Sequence, residues 1–282
     1  MSVRIVIDSA SDITKERADE LHLDFMPLKT IFGEEEYLDG ITITHRGFYE
    51  KLIECGTIPS TSQVTPYEFE AKFREISEAG DTAVVITLSS LLSGTCQSAA
   101  MAAESYRDRI FLVDSLNLSL GIQNLILYAV RLRDQGLSAE EIAGKLEEVK
   151  GKIVVLAVFD TLEYLKQGGR ISKSAAWAGT MLSIKPVISV INGEVAILGK
   201  ARGSKNGNNM LIQNISQSGG VDFSMPYCLG YSGLDDTLLQ KYIRDSAALW
   251  EGKTDHLPIS TIGAVIGTHA GPGAIGVSFF HL

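Results

Sequence analysis

Cysteine is scarce in this chain of 282 residues: Cys55, Cys96 and Cys228 are the three present, far apart and without C-x-x-C spacing. That usage excludes a disulfide framework, signals no zinc site and fits a reducing cytoplasm. Basic residues are outnumbered, 25 Lys and Arg against 34 Asp and Glu, for a formal net charge of −9. No nucleic-acid partner is expected, because phosphate contacts need clustered cations that release counterions. The five histidines, His22, His45, His256, His269 and His281, form no i, i+4 pairing with carboxylates, so no metal is expected. Four of them are expected at the surface. His269, in an apolar and glycine-bounded segment, reads either as a core histidine satisfied by backbone or as one that faces a ligand.

Long apolar runs are missing too, with one near exception. Ile259 to Phe280 lacks Asp, Glu, Lys and Arg and approaches membrane-span length, but it contains five glycines, Pro272 and His269. Such breakers leave backbone groups unsatisfied in lipid, so the run reads as two buried strands joined by a glycine turn, without stable membrane insertion. The opening MSVRIVIDSASD reaches acidic residues without the apolar core of a secretory signal, and a cytoplasmic location is expected. A Walker A motif is absent. Gly271-Pro272-Gly273-Ala274-Ile275-Gly276 matches the dinucleotide fingerprint in form, but too few residues follow for the required helix, leaving a tight glycine turn and no expected cofactor.

What is present is the makings of an α/β protein. The apolar fraction of 45% supports a sizeable core, and the length allows one or two domains. Val3 to Ile7, Ala83 to Leu88 and Ile110 to Val113 are short apolar runs separated by helical segments, the pattern of parallel crossovers. Phe25 to Phe32 reads as a further strand. Capping boxes at Thr65/Glu68 and Ser138/Glu141 open helices, the first carrying Phe69, Phe73 and Ile76 on one face. Beyond Lys152 the pattern changes: Asn192-Gly193 joins two strand-like runs as a hairpin, so the second half contains antiparallel sheet. Two domains are expected, 1–155 built on a mostly parallel sheet with flanking helices, and 156–282 an α/β domain containing antiparallel sheet.

Two hydroxyl-rich turns stand at expected strand ends, Thr61-Ser62-Gln63 and Ser89-Ser90-Leu91-Leu92-Ser93-Gly94-Thr95. Ligands of open α/β sheets sit beyond the carboxyl ends of strands, where helix N-termini offer unpaired N–H groups. Local capping of backbone groups is the competing reading, and the residues alone leave both open. Asp8, Asp12, Asp39 and Asp114 read first as caps of the turns that follow strands. Basic residues gather at Lys166, Arg170 and Lys173 and again at Lys200, Arg202 and Lys205. An acyl hydrolase using Ser93 and His269 has little support, because no G-x-S-x-G elbow is present.

The segments IVIDSASDI, PLKTIFGEEEYLDG, TSQVTP, ITLSSLLSGTCQSA, LVDSLNLSLG, LEYLKQGGRIS, GKARG and THAGPGAIG follow one another through nearly the whole chain. In that order they resemble the DegV family of bacterial fatty acid-binding proteins. The resemblance implies one bound long-chain fatty acid, its carboxyl group held in 1–155 by Thr61, Ser62, Ser93 and Gly94, with His269 and Arg170 close by and its tail covered by 156–282. It also implies a non-catalytic role in phospholipid metabolism, presenting the ligand to a separate ATP-binding fatty acid kinase subunit that makes acyl phosphate. Arg202 and Lys205 would then contact the partner or a phosphate. Two positions depart from the family pattern: Val64 follows TSQ where proline is frequent, and Ser204-Lys205-Asn206-Gly207 is less basic than usual. A small carboxylate or phosphate ligand is the alternative for the same head site.

Overall fold

The computed structural model describes residues 2–171 and 184–282, so Lys173 and the last residue of LEYLKQGGRIS lie outside the described residues. A four-stranded sheet, parallel throughout, takes the order Asp24–Met26, Val3–Asp8, Thr82–Thr87 and Ile110–Asp114, and its two central strands are rich in Val and Ile and buried along most of their length. Parallel sheets need cover on both faces, which explains their continuous apolar runs. The helices Pro66–Glu78, Thr95–Ala103, Leu120–Asp134 and Ala139–Val149 contribute buried residues to the same core, among them Phe69, Phe73, Ile122 and Ile142. Both expected capping boxes form, and Val64 is buried in that core beside Phe69.

A six-stranded sheet follows the order Glu194–Arg202, Ile184–Ile191, Ile153–Val158, Ile275–Phe280, Tyr227–Tyr231 and Ile259–Thr261. Its pairs are antiparallel except the last, which is parallel. Asn192 and Gly193 take positive φ (51° and 86°) at the tip of the expected hairpin, the twist a two-residue connection requires. The strand Ile153–Val158 separates two cores: Ile153 and Val155 belong to the cluster on the parallel sheet, Leu156 and Val158 to a second one with Leu211, Tyr242 and Trp250.

Three expectations are corrected. Phe25 to Phe32 is not one strand: Asp24–Met26 joins the parallel sheet, while Lys29–Phe32, beyond Pro27, joins a separate antiparallel sheet with Glu35–Leu38 and Ser60–Ser62. Proline fixes φ and has no N–H to continue a ladder. The Thr61-Ser62-Gln63 segment is therefore largely a strand, with Thr61 opposite Thr30. The third correction concerns Ile259 to Phe280. Its two strands flank Tyr227–Tyr231 and do not pair with each other, and the helix Ala264–Ala270 lies between them. Gly271 and Gly273, at φ 69° and 80°, make the expected glycine turn after that helix.

Candidate functional site

A cavity of about 350 Å³ opens where the three sheets meet. It falls at the small end of the roughly 300–1,000 Å³ usual for small-molecule sites. Thr61, Ser62, Ser93, Gly94, Arg170 and His269 all line it, together with Gln63. The other eleven lining residues are apolar, including Leu28, Leu118, Phe159, Ile188 and Ile266, so most of the wall can accept hydrocarbon but not charge.

Each polar residue is placed by its own element. The strand Ser60–Ser62 presents Thr61, whose Oγ1 lies 3.1 Å from His269 Nε2 on the helix Ala264–Ala270. His269 Nδ1 is buried without a partner among the described residues. A buried bare acceptor costs less than a buried, unpaired N–H, which favours the neutral tautomer with its proton on Nε2, donated to Thr61. The Thr61 hydroxyl then keeps its own proton for a ligand. Burial, and next the neighbouring Arg170 charge, push the His269 pKa down to about 4, so the imidazole is neutral at physiological pH.

Arg170 leaves the turn after the helix Glu163–Gln167, a turn that passes through Gly168 as the cap and Gly169 at φ 69°. Its Nε donates to Leu92 O at 3.1 Å and its Nη1 to Gly168 O at 2.6 Å, bonds that fix the guanidinium across the serine turn. Ser93 Oγ is 3.0 Å from Thr95 Oγ1 and accepts from Thr95 N at 3.3 Å. Next to it Gly94 opens the helix Thr95–Ala103. A Cβ at Gly94 would lie 2.0 Å from Gln63 Oε1, so glycine here lets the TSQ strand and the serine turn pack side by side. Gln63 Nε2 in turn donates to Ser98 Oγ at 2.8 Å.

These contacts divide the hydroxyls by role. Ser89 is fully buried and donates to Gly193 O at 2.7 Å, tying the serine turn to the hairpin of the other sheet, while Asp114 accepts from Ser90 N and Leu116 N. Capping thus explains Ser89 and Asp114, and Asp8 likewise caps the turn after its strand by accepting from Ala10 N, whereas Asp12 and Asp39, expected as local caps, accept instead from the distant Gly263 N and from Ala264 N and Val265 N. Ser93 bonds Thr95 and His269 bonds Thr61, so the Ser93–His269 pair of a hydrolase is not formed. Arg202 and Lys205 are exposed and do not line the cavity. His45, expected at the surface, is half-buried with Nδ1 2.8 Å from Thr261 Oγ1. The sequence reading missed Gln63 and the apolar walls. The available signal for Gln63 was its place in the TSQ segment already singled out, whereas wall residues such as Ile188 and Val265 have the character of any core residue.

Fold and site together define an α/β protein with a largely apolar cavity whose polar lining gathers hydroxyls, a neutral imidazole and one fixed guanidinium. The chain belongs to the DegV family: the model described as "Uncharacterised protein, DegV family" matches residues 2–282. A DegV domain-containing protein of Caldanaerobacter subterraneus is 34% identical over 280 residues, covering 98% of each chain. Among solved structures, a DegV family protein from Thermus thermophilus described for fatty acid binding superposes with a TM-score of 0.88 at 31% identity, covering 100% of both chains. A stearic acid-binding protein from Eubacterium ventriosum superposes at 0.85 with 29% identity, over 99% of this chain and 97% of its own. Among the described residues no helix is long and apolar enough to cross a membrane.

Proposed function

We propose that the protein binds one long-chain fatty acid, its carboxylate held by Thr61, Ser62, Ser93, the Gly94 N–H and Arg170, with His269 orienting Thr61. The observation that carries this reading is the composition of a single cavity, seven residues of the polar cluster against eleven apolar ones. The fatty acid-binding descriptions of similar structures support it. Each buried methylene contributes about 0.8 kcal/mol, so a long tail dominates affinity even after ordering and desolvation costs. The head contacts then set orientation. Hydroxyl and N–H donors with a neutral imidazole stabilise a carboxylate without protonating it, leaving an oxygen that can attack a phosphoryl group. The reading extends to presentation of that carboxylate to a separate ATP-dependent kinase subunit, with Arg202 and Lys205 on the exposed surface as contacts for the partner or its phosphate.

Native mass spectrometry of the purified protein tests the binding step. A stoichiometric, extractable fatty acid is expected, and Thr61→Ala combined with Ser93→Ala should weaken its retention. A protein that carries no lipid and takes up no added fatty acid overturns the reading.

A further inference from the structure

Behind the cavity wall three carboxylates are buried together: Asp8, Asp12 and Asp39, each no more than 3% exposed. None of them lines the cavity. Each instead accepts hydrogen bonds from the backbone of segments that do. Asp8 Oδ2 accepts from Leu88 N at 2.8 Å, and Leu88 is a wall residue at the start of the serine turn. Asp12 Oδ2 accepts from Ser119 Oγ, next to the wall residue Leu118, and its Oδ1 accepts from Gly263 N at 2.8 Å. Asp39 Oδ1 accepts from Ala264 N at 3.0 Å and Oδ2 from Val265 N at 3.4 Å, at the start of the helix that carries Val265, Ile266 and His269 into the wall. The backbone N–H of Asp39 donates to Leu28 O, while Leu28 N donates to Ser9 Oγ, which anchors a fourth wall segment to the same group.

The backbone around the cluster is held in uncommon conformations. Asp12 and Ser119 have φ of 56° and 53°, in the positive region that non-glycine residues seldom occupy. Such geometry persists only where surrounding bonds hold it. Gly263 has room for no side chain, since a Cβ there would lie 2.7 Å from His45 Nε2 and 3.2 Å from Asp12 Oδ1. The charged form of these acids is costly. Burial above all pushes Asp8 up to about 7 and Asp12 up to about 8; burial likewise raises Asp39, and mutual repulsion among the three adds to the effect. The other titratable groups around them are His45 and Tyr49 from the helix His45–Cys55, Cys228 from the six-stranded sheet, Cys96 from the helix Thr95–Ala103 and the more distant Glu16. His45 is the one group of this set that can become cationic.

We propose that Asp8, Asp12 and Asp39 are positioning residues of the cavity, fixing the serine turn, the Leu118 loop and the His269 helix relative to one another so that ligand retention depends on them. The proposal rests on the fatty acid reading for its ligand, but the placement of His269 can be read without one. Ionisation of all three would set like charges against each other, and burial holds the His45 pKa below its ordinary value, so this imidazole is neutral there and supplies no counter-charge; residence of the ligand should therefore shorten as pH rises through neutrality.

The test uses the full-length protein with stearate as probe and His269 followed by NMR in ligand-free samples. For Asp39→Ala, residence should fall roughly tenfold or more, as expected when the acceptor of two buried backbone N–H groups at a helix start is removed. His269 should titrate closer to an ordinary histidine as its ring moves off Thr61. Asp39→Asn and Asp12→Asn retain an acceptor oxygen without charge; residence should stay within about threefold of the parent, and its pH dependence between about pH 6 and 8.5 should weaken, since one titrating carboxylate of the three is removed. A folded Asp39→Ala protein with unchanged His269 titration and residence refutes the proposal. Should the alanine variant not fold, the Asn variants decide, and an unaltered pH profile in both refutes it equally. If the parent protein binds no stearate, the fatty acid reading fails while the His269 titration still judges the positioning role.

Discussion

A single methyl group at position 168 should uncouple affinity from stability. Gly168 closes the helix Glu163–Gln167 at φ −69°, a conformation alanine adopts freely. Alanine there should gain roughly 0.4–1 kcal/mol from a less flexible unfolded chain. Its Cβ, however, would lie 2.1 Å from His269 Nδ1 and 2.7 Å from Cε1. Ordinary carbon contacts begin near about 3.5 Å, so the ring must retreat by more than about 1 Å. The Thr61–His269 contact is already 3.1 Å and does not survive such a shift. A neutral hydrogen bond is worth about 0.5–1.5 kcal/mol, which predicts a roughly 2- to 12-fold weaker Kd for a long-chain fatty acid. The melting temperature should move little, because the entropic gain offsets the repacking. Isothermal titration of delipidated protein, paired with calorimetric unfolding, measures both. Gly144→Ala serves as control: a Cβ there meets nothing within 4 Å, so stability should rise with Kd unchanged. If Gly168→Ala binds as tightly as the parent while Thr61→Ala does not, His269 does not orient Thr61.

Three shorter predictions concern other parts of the fold. Gly193→Ala should destabilise by more than about 1 kcal/mol in denaturant titration, since φ is 86° and the new Cβ would meet Ser89 Oγ at 2.7 Å. Folded Asp12 binds its proton more tightly than an unfolded aspartate, so its contribution to stability is present below about pH 4 and is lost as pH rises through about 8. His269 acts in the opposite sense: its lowered pKa of about 4 withdraws stability as pH falls from about 6.5, and His269→Gln should flatten that limb of the stability curve. Alkylation of the native protein should modify Cys55 and spare Cys96 and Cys228, giving one adduct by mass spectrometry before denaturation and three after.

Local chemistry was the legible part of the sequence. Caps at Thr65 and Ser138, the Asn192-Gly193 hairpin and the parallel crossovers each depend on residues within a few positions of one another, and all form as expected. The polar lining of the cavity was legible for a different reason. Hydroxyls and glycines at strand ends have few roles, and family resemblance narrowed them to Thr61, Ser62, Ser93 and Gly94, which the fold brings into one cavity with Arg170 and His269. The apolar wall carried no comparable mark, because Leu118, Ile188 and Val265 differ from core residues only in facing an empty volume. That property belongs to the assembled sheets rather than to any local stretch.

The segment 259–280 shows the same boundary from the other side. Read alone, its apolar residues and glycines suit a hairpin, and nothing within it supplies acceptors for the N-terminal N–H groups of a helix. The acceptors come from Asp12 and Asp39, 251 and 225 residues away in the chain, which bind Gly263 N and Ala264 N. A seven-residue helix is marginal by itself, and Gly267 weakens this one further. Two buried carboxylates at its start make it stable where it stands. Gly267 is itself a requirement of the packing, for a Cβ there would lie 2.6 Å from Phe48 and 2.7 Å from Tyr49 Oη. The helix is thus specified by distant acids and by the close approach of another helix, and its placement is what brings His269 to Thr61.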